Sequence, residues 1–276
     1  MSFKIVSDSS SNVLEFPGID FESVPLKIIT AKKEYVDDEN LDIEAMVEEI
    51  RETKGKSGTS CPNIGDWLRA FGEAENIFAI TITSKLSGSY ASAVEAAKIY
   101  EDAHPGTKVF VIDSLSTGGE MQLIMEYIRE LVFGNETFES IKEKVVSYMK
   151  KTKLLFSLRS LTNLARNGRV NPAVAKIAGV LGIRVLGAAT EGVLDPLHKI
   201  RGEAKTMEMM FEEMKKRGFC GGKVRIDHCL NPESAEMLKE KILAQFPQSD
   251  VAIGKNGALC SFYAEKGGLI VGYESV

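Results

Sequence analysis

The chain has 276 residues, a formal net charge of −5 and a hydrophobic content of 44%. This length allows one large or two ordinary domains, and the apolar content is enough for a full core. The mild acidity argues against nucleic-acid binding, and no apolar run reaches the roughly 18 to 20 residues that a membrane span needs. The chain begins with a strand-like segment, and its four cysteines include no CxxC pair. We therefore expect a cytoplasmic protein with reduced thiols, no signal peptide and no metal or other cofactor.

The first half of the sequence alternates predicted strands and helices. A strand from Phe3 ends in the polar turn 8–12, where Asp8 or a following serine caps what comes next. Further strands are predicted over residues 24–30, with a hairpin continuation at 32–35, and over 77–83 and 108–113. Helical spacing predicts helices over residues 43–52, 64–71, 90–97, 120–133 and 138–151. This alternation is typical of an open, mainly parallel sheet that binds its ligand at the carboxyl ends of the strands.

The turn between strand 77–83 and the next helix carries Ser84, Ser87, Gly88 and Ser89. A strand, a small polar turn and a helix start bring free backbone N–H groups to one point, which favours an anion. The three hydroxyls would cap the helix, bind the anion, or do both. These alternatives remain open on this stretch alone.

A second polar turn precedes helix 64–71, which Ser60 or Asn63 can cap. It contains Thr59, Ser60 and Cys61, and it could converge on the first turn. The preceding Gly-Lys-Ser triplet is not a P-loop, because Ile50 stands where that motif needs its first glycine. Cys61 lacks an evident histidine base, so a nucleophilic role is disfavoured.

The second half, after residues 150–153, mixes hairpins with helices. Helices are predicted over residues 160–166, 205–217 and 232–246, and strands over 183–189, 192–201, 223–229, 251–254 and 268–273. A further segment, 172–181, is nearly all small and apolar, as in a tightly packed helix or one that lines a cavity. The chain is therefore predicted to be an α/β protein of two domains. Residues 1–152 form the open, mainly parallel sheet, and residues 153–276 form a second α/β domain with a mixed or antiparallel sheet.

Three features can meet in a cleft between these domains: the Thr59–Ser60 turn, the Ser87–Gly88 turn, and Arg169 after a helix-ending glycine. Hydroxyls and helix-start N–H groups donate hydrogen bonds and arginine adds a permanent charge, which together suit a carboxylate. A serine hydrolase is disfavoured because the sequence around Ser89 is not the G-x-S-x-G elbow. The three histidines, His104, His198 and His228, are expected to be structural or exposed.

Several short motifs occur in one order along most of the chain. They are VSDSS at 6–10, GTSCP at 58–62, SKLSGSYASA at 84–93, DS at 113–114, LTNLARNGRV at 161–170 and KIR at 199–201. Together they resemble the successive motifs of the DegV family of bacterial fatty-acid-binding proteins. Each motif alone is weak, whereas the ordered set is specific.

The resemblance implies a two-domain α/β protein that holds one long-chain fatty acid, such as palmitate, in a buried tunnel. It assigns the carboxylate to Thr59 and Ser87, with Ser60 and Gly88 in the same loops and Arg169 close to the head group. Tyr263 stands where many family members have a histidine. A tyrosine hydroxyl donates a hydrogen bond but does not titrate near neutral pH, so phosphoryl transfer is put in question at this position.

The resemblance also implies a carrier without catalytic residues of its own. Some members present the acid to a separate kinase, similar to dihydroxyacetone kinases, that makes an acyl phosphate. Two alternatives remain open from the residues. One is an enzyme that acts on a small anionic metabolite through Ser87 or Cys61. The other is a regulatory protein whose lipid occupancy alters docking to a partner at Lys199 and Arg201.

Overall fold

The structure is a computed structural model that describes residues 2–52, 55–172 and 182–276. Its strands are β1 (Phe3–Asp8), β2 (Asp20–Val24), β3 (Lys27–Thr30), β4 (Glu34–Val36), β5 (Ser57–Ser60), β6 (Asn76–Thr81), β7 (Lys108–Asp113), β8 (Thr152–Leu158), β9 (Ile183–Thr190), β10 (Val193–Arg201), β11 (Lys223–His228), β12 (Asp250–Lys255) and β13 (Leu269–Glu274). Its α-helices are α1 (Ile43–Glu52), α2 (Ile64–Phe71), α3 (Ser89–Ala103), α4 (Gly119–Phe133), α5 (Phe138–Tyr148), α6 (Thr162–Arg166), α7 (Glu203–Lys216), α8 (Pro232–Gln245) and α9 (Ala258–Ala264). Among the described helices, none combines the length and apolar character that crossing a membrane requires.

The N-terminal part contains the predicted parallel sheet, in the strand order β2-β1-β6-β7. The central strands β1 and β6 are almost wholly buried, as is typical of a parallel sheet covered on both faces. Helices α2 and α3 pack on one face around Trp67 and Tyr100, while α4 and α5 pack on the other around Phe78 and Ile124. The predicted doubly wound arrangement is confirmed.

The second large sheet has six strands in the order β10-β9-β8-β13-β11-β12. Among the described strands of this sheet, only β11 and β12 pair in parallel, so the sheet is mixed, as predicted. One face packs on α7 and α8, and the other face turns towards α6 and α9. This sheet starts with Thr152, but the division of the chain into domains at residues 152 and 153 remains a prediction.

Helix α4 belongs to the first sheet in sequence but also packs directly on the second. A Cβ atom added at Gly119 would lie 2.9 Å from the backbone nitrogen of Gly272 on β13, closer than real Cβ atoms approach. Glycine at this position therefore permits backbone-to-backbone contact between α4 and the mixed sheet. The two sheets consequently share one helical layer, and the cavities described below lie where they meet.

A small antiparallel sheet, β4-β3-β5, was not predicted. The single strand expected over residues 24–30 is wrong, because Pro25 and Leu26 interrupt it and pass the chain from the parallel sheet to the small one. Residues 57–60, interpreted as part of a polar loop, form β5, in which Thr59 pairs with Ile28. The predicted hairpin at 32–35 is present as β3–β4.

Helices 43–52 and 64–71 have the predicted bounds, and Asn63 is the cap of α2. The helix expected over 138–151 ends at Tyr148 and continues as a 3-10 turn, and α6 begins at Thr162 rather than at residue 160. Helix α9 was not predicted. Residues 173–181 of the predicted small-residue helix 172–181 lie outside the described residues.

Candidate functional site

The residues predicted for a head group lie together, although they come from four distant segments. One cavity of about 240 Å³ is lined by Thr59, Ser60, Ser87, Gly88, Arg169 and Tyr263. These residues belong to β5, to the turn before α3, to the segment after α6, and to α9. The structure therefore gathers the hydroxyls and the guanidinium at one site.

Thr59 and Tyr263 form the hydrogen-bonded pair at this site. The Thr59 Oγ1 atom lies 2.8 Å from the Tyr263 hydroxyl oxygen, and either atom can be the donor. When Tyr263 donates, the Thr59 hydroxyl proton remains available to a bound anion. In that arrangement, Tyr263 orients the Thr59 hydroxyl group as a donor, although the two residues are 204 positions apart in the sequence.

The turn that carries Ser87 is held by a buried acid, Asp8, at the end of β1. Asp8 Oδ2 accepts hydrogen bonds from the Ser89 hydroxyl at 2.6 Å and from the Ile82 backbone N–H at 2.9 Å. These two donors stand on either side of Ser87 along the chain. Burial raises the pKa of Asp8, and the hydrogen bonds from Ser10, Ser89 and Ile82 oppose that rise. Asp8 therefore fixes both ends of the turn.

This contact corrects the expectation that Ser89 serves as a cap or an anion ligand. Ser89 is fully buried and donates to the Asp8 carboxyl group rather than to a ligand, and α3 has no side-chain cap. Ser87 Oγ accepts a hydrogen bond from the Ser89 N–H at 3.3 Å, and the Ser87 hydroxyl proton is free to point into the cavity.

Ser84 does not line the cavity, and its backbone N–H donates to the Asp113 carboxylate. Asp8 also accepts from the Ser10 N–H and so caps the short turn after β1, as predicted.

A second buried acid, Asp37, holds the helix that carries Tyr263. Its carboxylate accepts hydrogen bonds from the backbone N–H groups of Ala258 at 2.5 Å and of Leu259 at 3.0 Å, which begin α9. Ser9 donates to the same carboxylate at 2.9 Å. Burial raises the pKa of Asp37. This distant cap gives α9 its start and thereby places Tyr263 at the site.

Arg169 is oriented by two backbone carbonyls. Its Nε donates to Leu86 O at 3.1 Å, and one terminal nitrogen donates to Asn167 O at 2.5 Å. A guanidinium has five N–H donors in a fixed fork, so further donors remain beside the Ser87 turn. Arg169 therefore adds a positive charge next to the hydroxyls.

The two polar turns approach each other closely at Gly88. A Cβ atom added there would lie 3.2 Å from the Cys61 Sγ atom. A larger residue here would require the Cys61 side chain to shift by a few tenths of an ångström, so glycine suits this close approach. The described cysteines are all unpaired.

Behind the polar site lies a second, narrow cavity whose lining is almost entirely apolar. Both cavities are lined by Ile82, Leu86, Leu164, Leu259 and Tyr263. The second cavity extends along β8 and β13, past Phe156 and Ile270. The few hydroxyls of its lining are satisfied within the protein; for example, Thr83 donates to Gly192 O at 2.8 Å. The site therefore has a polar end and an apolar end that adjoin.

Within the described ranges, no cluster of three His, Cys, Asp or Glu residues could hold a metal ion. The histidines make structural contacts: His104 with Tyr100 O, His198 with Glu213, and His228 with the Asn231 N–H. Cys260 lines the apolar cavity, and burial raises the pKa of its thiol far above the usual range.

Comparison with known proteins identifies the family. A sequence model of a protein family, described as "Uncharacterised protein, DegV family", matches residues 2–275. The chain therefore belongs to the DegV family. A DegV domain-containing protein of Streptococcus pneumoniae is 43% identical over 279 aligned residues, covering 99% of both chains.

Two solved structures are closely similar over the whole length. A DegV family protein from Eubacterium eligens, loaded with heptadecanoic acid, has a TM-score of 0.98 and 42% identity, and the match covers 100% of both chains. The Streptococcus pneumoniae Fatty Acid Kinase (Fak) B3 protein, loaded with linoleic acid, has the same TM-score, identity and coverage. The two-domain α/β fold implied by the resemblance is confirmed.

Proposed function

We propose that the protein binds one long-chain fatty acid, such as palmitate, and acts as a carrier rather than as an enzyme. Thr59 and Ser87 donate hydrogen bonds to the carboxylate, and the acyl chain lies in the apolar cavity. The observation that carries this proposal is the junction of the two cavities, which share five lining residues. The fatty acids bound by the relatives from Eubacterium eligens and Streptococcus pneumoniae support the same ligand class.

The two ends of the site contribute differently to binding. Each buried methylene contributes about 0.8 kcal/mol, so a long acyl chain supplies on the order of 10 kcal/mol before ordering costs reduce it. A buried carboxylate without partners is costly, so the hydroxyls of Thr59 and Ser87 determine which end of the ligand faces outward. Arg169 adds charge at this end, Ser60 and Gly88 form the walls, and Tyr263 orients Thr59.

We also propose that any phosphoryl transfer belongs to a separate kinase, similar to dihydroxyacetone kinases, that acts in the cytoplasm. One relative is described as the B3 protein of a fatty acid kinase, which supports such a partner. We expect no acyl phosphate when the protein alone is incubated with ATP, magnesium and palmitate. Acyl phosphate formed without a second protein would contradict this part of the proposal.

Native mass spectrometry of protein produced in bacteria tests the central part. We expect one fatty acid per chain, either retained through purification or acquired when palmitate is offered. Protein that carries no lipid under both conditions would contradict the proposal. The enzyme hypothesis would gain support instead from turnover of ester or phosphate substrates that Ser87→Ala abolishes.

A further inference from the structure

Among the described residues in the wall of the apolar cavity, Phe156 on β8 has the largest side chain after Tyr263, which lies at the polar end. Alternate residues of this strand, Leu154, Phe156 and Leu158, line the cavity, because successive side chains of a strand point to opposite faces. Phe156 is almost completely buried. Phe156 and Tyr263 are the two aromatic residues among the described lining residues. The position of Phe156 therefore has a large effect on the width of the cavity.

The ring has room to lie against the sheet because its neighbour on β9 is a glycine. Phe156 and Gly187 are directly opposite in the β8–β9 pair. A Cβ atom added at Gly187 would lie 2.6 Å from the Phe156 Cε2 atom and 2.7 Å from the Asp195 carbonyl oxygen. Any larger residue would force the ring away from the sheet, so Gly187 is needed here for space.

Two residues further along β9, on the same face as Gly187, Ala189 lines the cavity and is also small. At this level β9 therefore presents a hydrogen atom and a methyl group, whereas β8 presents an aromatic ring. The free space along this part of the wall is what remains between the ring and the opposite turns. A change in the size or position of the ring therefore changes the space that is left for an acyl chain.

We propose that the Phe156–Gly187 pair, together with Ala189, determines the acyl-chain length that the protein prefers. This inference rests on the proposed function, since it concerns the tail of the same ligand. Each additional methylene that fits strengthens binding about fourfold, whereas one that does not fit must displace well-packed side chains. Chain-length preference should therefore follow the size of these side chains and not the polar end of the site.

A competition experiment tests the proposal on the full chain. Lipid-free protein is mixed with equal amounts of saturated fatty acids of 14, 16, 18 and 20 carbons, and the bound acids are extracted and quantified. We expect Phe156→Leu to raise the bound ratio of the 20-carbon to the 16-carbon acid at least about threefold. We expect Ala189→Leu, which adds volume to the same wall, to shift the ratio towards the 14-carbon acid by a similar factor.

The matched control is Phe211→Leu, which makes the same change in the core on the opposite face of the mixed sheet. It should leave the chain-length ratios unchanged. Unchanged ratios in both Phe156→Leu and Ala189→Leu, with lipid still bound, would overturn the role of this wall while leaving the proposed function intact. Absence of any bound acid in the unmodified protein would instead contradict the proposed function. If Phe156→Leu does not fold, Phe156→Met and Ala189→Leu decide the outcome in the same way.

Discussion

The polar end and the apolar end of the site are built in different ways. At the polar end, single side chains from distant segments meet, and buried acids hold the segments in place: Asp8 holds the turn of Ser87, and Asp37 holds the helix of Tyr263. At the apolar end, one face of the mixed sheet supplies a continuous wall. A polar end made of few contacts is sensitive to each of them, whereas an apolar wall acts through its total area and shape. Ligand orientation and ligand affinity should therefore be separable by mutation.

The largest expected effect is the dependence of affinity on chain length. From a 10-carbon to a 16-carbon saturated acid, six methylenes at about fourfold each should strengthen binding about 4000-fold. Isothermal titration calorimetry with the series of acids measures the slope. A nearly flat slope would mean that the tail is not buried, and it would remove the apolar end from the account.

The next effect concerns the buried acid behind the polar end. The Asp8 carboxyl group accepts hydrogen bonds from Ser10, Ile82 and Ser89. In Asp8→Asn, the new amide N–H₂ group would face some of these donors and could not accept from them. The free energy of unfolding should therefore fall by about 3 kcal/mol. Urea unfolding of the lipid-free protein measures the change. The exposed pair Glu95–Lys98 offers a control, since Glu95→Gln should change stability by less than about 0.5 kcal/mol. Equal stability of Asp8→Asn and the unmodified protein would show that Asp8 does not hold the turn.

Replacing the hydroxyls of Thr59 and Ser87 should weaken recognition of the carboxylate and leave the contribution of the acyl chain unchanged. Thr59→Ala combined with Ser87→Ala should weaken palmitate binding about 100-fold, because two hydrogen bonds to a charged group are lost. Binding of hexadecanol, which has the same tail length, should change far less. The chain-length slope should also stay the same. Thr107→Ala with Ser147→Ala, remote from both cavities, is the matched control. Unchanged palmitate affinity in the first double variant would remove Thr59 and Ser87 from their assigned role.

The smallest effect is expected at Tyr263. Tyr263→Phe removes the partner of Thr59 and should weaken palmitate binding about fivefold. Tyr263→His introduces the residue that the family often carries, and its charged form attracts a carboxylate. Binding to this variant should therefore strengthen as the pH falls through about 6.5, whereas the unmodified protein shows no such step. Identical pH profiles would indicate that position 263 does not face the head group.

The polar end was predicted more completely than the segments that place it. Hydroxyls at helix starts and an arginine carry their chemistry in their residue type, so the sequence could predict that Thr59, Ser87 and Arg169 meet at one cavity. Their role in binding a carboxylate stays a prediction. The helix that carries Tyr263 was missed, because its cap, Asp37, is 221 residues before Ala258 in the chain. No local pattern can reveal a cap that the fold brings from elsewhere.

The small sheet and the role of Ser89 show the same limit. Residues 57–60 have one β-branched residue, Thr59, and no alternating apolar character, and they form a strand because β3 lies beside them. Ser89 has the residue type of a helix cap, but burial beside Asp8 gives it a different partner. Periodic, locally determined elements were predictable, whereas contacts between distant segments required the structure.

A crystal structure of the protein with bound palmitate tests the account most directly. We predict carboxylate oxygens within hydrogen-bond distance of Thr59 Oγ1 and Ser87 Oγ, with the acyl chain running past Leu86 and Leu164 towards Phe156. A carboxylate bound elsewhere, or a tail that lies on the protein surface, would contradict it.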